Sequence, residues 1–193
     1  MSQMLRADAQ DNRDRILTAA RTLFADRGLD VGMREIARRA EVGPATLYRR
    51  FPTKQALIDE AFAAEMGACR RIVEEGCGDP DPWRGFTSVV KRLTALNVRN
   101  KGFVDAFLST GPPGAAFSEH RRELLAMLSA LAKRAQAEGR LRTDFVIDDL
   151  VLVLLAGRGL ASTLTSARDA AAHRFATLAI DAFRSTSKRA DAV

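Results

Sequence analysis

With 193 residues, 47% of them hydrophobic and 28% charged, the chain can bury a real core as one large domain or as a small domain joined to a larger one. No run of about 18 uncharged apolar residues occurs, which excludes a membrane-spanning helix, and the polar N-terminal segment lacks the apolar centre of a secretory signal, so a cytoplasmic location is expected. A formal net charge of +6 permits binding to nucleic acid without establishing it.

Helical periodicity runs through nearly the whole sequence, and alternating β-branched stretches are rare. The spacing predicts a first helix over residues 11–27, with Ile16, Leu17, Ala20, Leu23 and Phe24 on one apolar stripe and Gly28 as its C-terminal cap. A short second helix follows over 33–40, with Ile36, Ala37 and Ala40 inward. Gly43 and Pro44 start a third, over 44–51, because proline suits the first helical position, where its missing N–H has no partner anyway. Pro52 ends it, since the residue before a proline avoids the helical region. Thr53 then caps a long fourth helix reaching Gly76, with Leu57, Ile58, Phe62, Met66, Cys69, Ile72 and Val73 as its apolar positions.

Residues 79–82 read as a linker, with Asp81 and Pro82 as cap and first position of a fifth helix carrying Phe86, Val89, Val90, Leu93, Leu96 and Asn97. A short helical piece over 103–108, a loop over 109–115 and a long helix over 118–138 come next. A very apolar helix over 147–163 and a final one over 167–187 complete the chain, with a frayed tail from 188. The fold class is therefore all-α, with about nine helices. Its expected division is a helix-turn-helix domain over 1–52 and a helical effector-binding and dimerisation domain over 53–193.

Two short helices joined by a turn of about three residues form the helix-turn-helix pattern. Here the turn is Glu41, Val42 and Gly43, with Leu47 inward beside Ile36. The opposite face of the second helix of the pair presents Pro44, Ala45, Thr46, Tyr48 and Arg49. Such a helix lays its leading residues against base edges in the major groove. Thr46 can bond a base edge or a phosphate, Tyr48 brings a hydroxyl to phosphate, and an arginine at position 49 could read guanine with two parallel bonds. Lys54 adds charge near the start of the next helix. Between positions 34 and 54 lie Arg34, Arg38, Arg39, Arg49, Arg50 and Lys54 against only Glu35 and Glu41. A phosphate backbone attracts such a cluster; a solvated helical face is the other reading of the same charges.

At these residues the sequence closely resembles the TetR family of bacterial transcriptional regulators. The resemblance rests on Arg15, Ile16, Leu17, Ala20, Leu23, Phe24 and Gly28, on Arg34 to Ala37, and on Val42, Ala45 to Tyr48, Phe51, Lys54 and Leu57. It spans about a third of the chain. It implies DNA contacts from Arg34, Pro44, Ala45, Thr46, Tyr48, Arg49 and Lys54, with Arg13 touching backbone from the N-terminal segment. For Arg38 and Arg39, surface charge is as good a reading as DNA contact. Two residues depart from the family pattern. Glu41 stands where glycine is common, and if that residue is left-handed a side chain there costs on the order of 1 kcal/mol. Gly43 stands where a serine or threonine cap is common, and glycine is an acceptable cap.

The resemblance further implies a two-fold homodimer through about 147–187, a pseudo-palindromic double-stranded operator, and a repressor released by a small-molecule effector. An activator or an effector-independent DNA-binding regulator is the alternative. The stretch 150–155 is apolar all round, as expected of a helix packed on both sides. An effector site is expected among Met66, Phe86, Leu93, Asn97, Phe103, Phe107, Met127, Leu131 and Arg158, although the same residue types also build ordinary core. Arg158 reads either as an internal ion pair, with Asp105 or Glu65, or as a contact to an anionic or carbonyl-bearing ligand.

No enzyme signature is present. His120 and His173 have no metal-ligand spacing around them, and neither a phosphate-binding loop nor a dinucleotide fingerprint occurs, so no cofactor or metal is expected. Cys69 and Cys77, eight residues apart, would sit about 12 Å apart along one helix, beyond the roughly 7 Å that a disulfide spans, and read as two buried thiols acting as small hydrophobes, with a redox switch as the minor alternative.

Overall fold

A computed structural model describes residues 2–99, 103, 115–162 and 165–186. Among these residues the secondary structure is helical: α1 (Ser2–Arg27), α2 (Met33–Arg39), α3 (Pro44–Arg50), α4 (Lys54–Ala61), α5 (Ala63–Cys77), α6 (Pro82–Arg99), α7 (Ala115–Ala137), α8 (Ile147–Ala156), a 3-10 turn (Gly157–Ser162) and α9 (Thr165–Phe183). No helix among the described residues is long and apolar enough to cross a membrane. The chain divides into two compact units. The first holds Met1–Gly67 with Asn100–Arg121, and the second holds Ala68–Arg99 with Arg122–Val193.

In the first unit α1 packs on α2 and α4, and α2 packs on α3. The apolar stripe of α1 supplies Ile16, Ala20 and Phe24, all fully buried, against Ile36, Ala37, Leu47, Leu57 and Phe62. Gly28 ends α1 at φ 77, a left-handed conformation that favours glycine. Thr53 caps α4 as expected, its hydroxyl accepting from the Ala56 N–H at 3.1 Å. α1 starts nine residues earlier than the sequence suggested. Its first turns lack the apolar stripe on which a periodicity argument depends.

The expected long fourth helix is broken at Phe62, whose backbone (φ -109, ψ 12) leaves the helical region between α4 and α5. Phe62 is fully buried, 5.9 Å from the rings of both Phe24 and Phe103. The break frees the Ala61 carbonyl from its helical partner, and the Arg21 guanidinium donates to it at 2.7 Å. A bond from a charged donor compensates a lost helical bond. Periodicity cannot show such a break, because it depends on a residue 40 positions away.

In the second unit α6 is central, packing along α9, α8 and the 3-10 turn. Asp81 caps it, accepting from the Arg84 N–H at 2.9 Å. α5 meets α6 through Gly76 and Gly85, where a Cβ on Gly85 would collide with the Gly76 carbonyl and one on Gly76 with the Val89 side chain. The core is aromatic. Phe86 stacks on Trp83 at 6.0 Å and meets Phe145 and Phe183 edge-on at 5.4 and 6.1 Å. α9 ends at Phe183 rather than near 187. There the Arg142 N–H donates to the Phe183 carbonyl and the Ser185 N–H to the Arg140 carbonyl, each at 3.0 Å. The expected helix over 147–163 is α-helical only to Ala156 and then tightens into the 3-10 turn, where two glycines in three residues lower helix propensity. The expected helical piece over 104–108, the loop over 109–114 and the tail from 188 lie outside the described residues.

Candidate nucleic-acid interface

α2 ends in a Schellman motif. The Val42 N–H donates to the Ala37 carbonyl at 3.0 Å and the Glu41 N–H to the Arg38 carbonyl at 3.1 Å. This geometry needs a left-handed residue at 41, and Glu41 has φ 54, alone among the described non-glycine residues. The strain that the sequence raised as a condition is therefore present, on the order of 1 kcal/mol. Arg15 of α1 holds the strained residue, with Nη2 2.8 Å from the Glu41 carboxylate and 3.4 Å from its carbonyl. Gly43 then caps α3 in an extended conformation (φ -65, ψ 144), with Pro44 as the first helical residue.

Leu47 is the anchor of α3, fully buried against the fully buried Ile36 and Ala37 of α2. Phe51, at the C-cap, closes the same side at 2% exposure. The remaining face is open. Pro44, Ala45, Tyr48, Arg49 and Arg50 are exposed, Tyr48 at 46%, and Thr46 is half-buried. Arg34 on α2 is exposed and Lys54 at the start of α4 is half-buried. The fold thus places all seven expected contact residues on α2, α3 and the start of α4 within the first unit. No buried anchor is among them.

The ion pairs divide the basic residues of this unit into two sets. Arg13 pairs with Glu60 at 2.6 Å, Arg15 with Glu41 at 2.8 Å, Arg27 with Glu35, and Arg38 approaches Glu35 at 3.7 Å. Arg34, Arg39, Arg49, Arg50 and Lys54 have no carboxylate within 4.0 Å among the described residues. Arg13, expected to reach a DNA backbone, is held by Glu60. Arg39 and Arg50, which had no firm role in the sequence reading, have no carboxylate partner either. A protein's own carboxylate competes with phosphate for a guanidinium, so the free set is the one a polyanion can engage without breaking an internal bond.

The sequence profile of the bacterial regulatory proteins of the tetR family matches residues 16–61, which enclose this motif. A second profile, the C-terminal domain of SbtR-like transcriptional regulators, matches residues 81–185, more than half of the chain. The chain belongs to the TetR family. Among TetR-family relatives, the HTH-type transcriptional repressor KstR of Rhodococcus jostii is 30% identical over 158 residues, covering 77% of this chain and 73% of that protein. An uncharacterised HTH-type transcriptional regulator of Mycobacterium bovis is 33% identical over 96 residues, and that match spans only 48% of the relative's length and 49% of this chain. The crystal structure of the TetR transcriptional regulator SCO0520 from Streptomyces coelicolor superimposes with a TM-score of 0.54 at 31% identity, covering 91% of this chain and 99% of that one.

The residues expected around an effector fall in both units. Met66, half-buried, and Phe103, buried, lie in the first. Phe86, Leu93, Asn97 and Leu131, all buried, and Met127, half-buried, lie in the second. Phe86 is the hub of the aromatic core, and the Met127 carbonyl lies 3.6 Å from the Cys77 thiol. Asn97, 7% exposed, has no hydrogen-bond partner for its amide among the described residues. Phe107 and the Arg158 side chain lie outside the described residues. Both cysteines are free, Cys69 buried as expected and Cys77 only half-buried. Burial pushes the Cys69 thiol up to about 12, and burial also raises Cys77, opposed by the nearby Arg134 guanidinium.

Proposed function

We propose that this TetR-family chain is a cytoplasmic, homodimeric transcriptional repressor. α3 enters the major groove of a pseudo-palindromic operator, and a small molecule held by the C-terminal helices releases it. The observation that carries this reading is the outer face of α3, a solvent-facing helix of seven residues anchored only by Leu47 and ringed by cations with no internal carboxylate partner. Arg34, Pro44, Ala45, Thr46, Tyr48, Arg49 and Lys54 make the contacts. Dimerisation through about 147–187 is supported by Leu152 on α8 and Leu178 on α9, exposed at 62% and 52%. Exposed apolar side chains on two neighbouring elements of this stretch fit a surface that a partner chain covers, where they would form one patch. Two reading heads then address half-sites one helical turn apart, roughly 34–36 Å. For the effector, Asn97 is a largely buried residue whose amide has unused bonding capacity in an apolar setting, the arrangement that orients a small ligand. The name of the KstR relative, a repressor, favours repression over activation.

The test is a mobility-shift titration of the full chain on the DNA upstream of its own coding sequence, at several salt concentrations. A specific complex is expected whose log affinity falls linearly with log salt, and that a small-molecule extract of the host cells dissociates. Binding that ignores both sequence and salt would overturn the proposal.

A further inference from the structure

The proposed DNA contacts on α3 are not equivalent. On a helix of about 3.6 residues per turn, neighbours two positions either side of a residue project about 160° away from it. Around the buried Leu47 those two neighbours are Ala45 and Arg49, which therefore share the ridge of α3 pointing straight out. Thr46 and Tyr48, one position from Leu47, project about 100° away, one on each flank. Pro44 and Arg50, three positions away, lie only about 60° from the anchor, at the margins of the open face. Of the two ridge residues, Ala45 has no polar group. Arg49 is thus the ridge side chain with hydrogen-bond donors, and it is exposed with no carboxylate partner among the described residues.

Side-chain direction sharpens the point. Helical side chains lean toward the N-terminus, so the Arg49 guanidinium covers the turn before it, above Ala45. A methyl at 45 leaves room for a planar group there and lets the helix backbone sit close to the floor of the groove. That is also the end of a recognition helix that meets base edges. A guanidinium forks onto the O6 and N7 acceptors of guanine, a pair of acceptors that no other base presents in the major groove. The hydroxyls of Thr46 and Tyr48 on the flanks, and Arg50 at the margin, face the groove walls, where phosphates lie.

We infer that Arg49 is the specificity-determining residue of the DNA-binding face and reads the guanine of a G·C pair in each half-site, with Arg50, Thr46 and Tyr48 positioning the helix on phosphates. This rests on the DNA-binding reading given above and says which of its residues carries sequence information.

The experiment is selection of bound sequences from a random duplex library by the full-length chain, followed by affinity measurement on the selected site and on every single-base variant of it. Wild type, R49A, R49K and R50A are compared, with thermal melting to confirm that each folds. The wild-type chain is expected to select a symmetric site with an invariant G in each half. R49A should lose the preference at that pair, so that the substitution costing wild type about tenfold or more costs the variant little. R49K should keep most of the overall affinity and its salt dependence while losing the guanine preference, because an ammonium has charge but no fork. R50A should weaken binding to all sites alike. If wild type selects a site and R49A retains the full base preference at every position, the assignment of Arg49 is overturned while the regulator reading stands. If wild type selects no sequence at all, the regulator reading falls and this inference falls with it.

Discussion

The arginines of the second unit and those around α3 differ in where their unpaired members fall. In the second unit Arg70 sits on Glu123 at 2.5 Å, Arg84 on Asp79 at 2.6 Å, Arg99 on Asp169 at 2.9 Å, Arg142 on Asp149 at 2.6 Å, and Arg92 on Glu75. Arg70, Arg92 and Arg99 each tie two helices together, while Arg84 and Arg142 reach carboxylates five and seven residues away. The cations without carboxylate partners there, among them Arg71, Lys91, Lys133, Arg140, Arg174 and Arg184, are spread over α5, α6, α7, α9 and the residues just after α7 and α9. Around α3, five such cations fall within 21 residues, from Arg34 to Lys54. Surface ion pairs contribute little to stability, so their placement is a better guide to function than to folding. The cluster beside α3 is the one that the proposed function assigns to DNA.

The strongest way to break this comparison is to remove the free cations. Replacing Arg34, Arg50 and Lys54 together by alanine is expected to lower operator affinity about a thousandfold at ~0.1 M salt and to flatten its salt dependence, with the melting temperature unchanged. Removing Arg71, Lys91 and Lys133 instead should leave operator binding nearly intact; equal losses from both sets would erase the distinction. Next in size, L152D with L178D is expected to shift the chain to monomer in sedimentation at micromolar concentration and to weaken operator binding about a hundredfold, because each half-site must then be bound alone.

G85A tests stability without touching the free cations. Its methyl has no room beside the Gly76 carbonyl, so α5 and α6 must part, at an expected cost of about 1–3 kcal/mol in chemical denaturation. E41G works in the other direction. It relieves the left-handed strain and gives up the exposed Arg15 ion pair, for a net gain of about 0.5–1 kcal/mol with operator affinity unchanged. The smallest effect is chemical. At pH 8 a thiol reagent should label the half-buried Cys77 slowly and Cys69 only on unfolding, since burial holds the Cys69 thiol protonated up to about 12.

The helix-turn-helix was legible in the sequence because its signals are local. Gly28, Gly43 with Pro44, Pro52 and Thr53 each act on the backbone within a few residues of themselves, and the four-residue spacing of Ile16, Ala20 and Phe24 is set by helix geometry alone. What stayed hidden depends on partners far along the chain. The break at Phe62 needs Arg21, and the end of α9 needs the strand-like pairing with residues 140–142. The division between paired and free arginines was equally hidden. Arg13 and Arg49 look alike as letters, and only the folded position of Glu60 separates them.

The grip of Arg21 on the Ala61 carbonyl, with Phe62 wedged beside Phe24, also determines how short a DNA-binding fragment can be. Severed after Pro52, such a fragment would strip Leu57, Ala61 and Phe62 from beneath α1 and leave a raw apolar wound prone to aggregation. Carried through Phe62, it would keep that seam closed. The fourth helix, which brings only Lys54 to the proposed interface, is the keel of the helix-turn-helix.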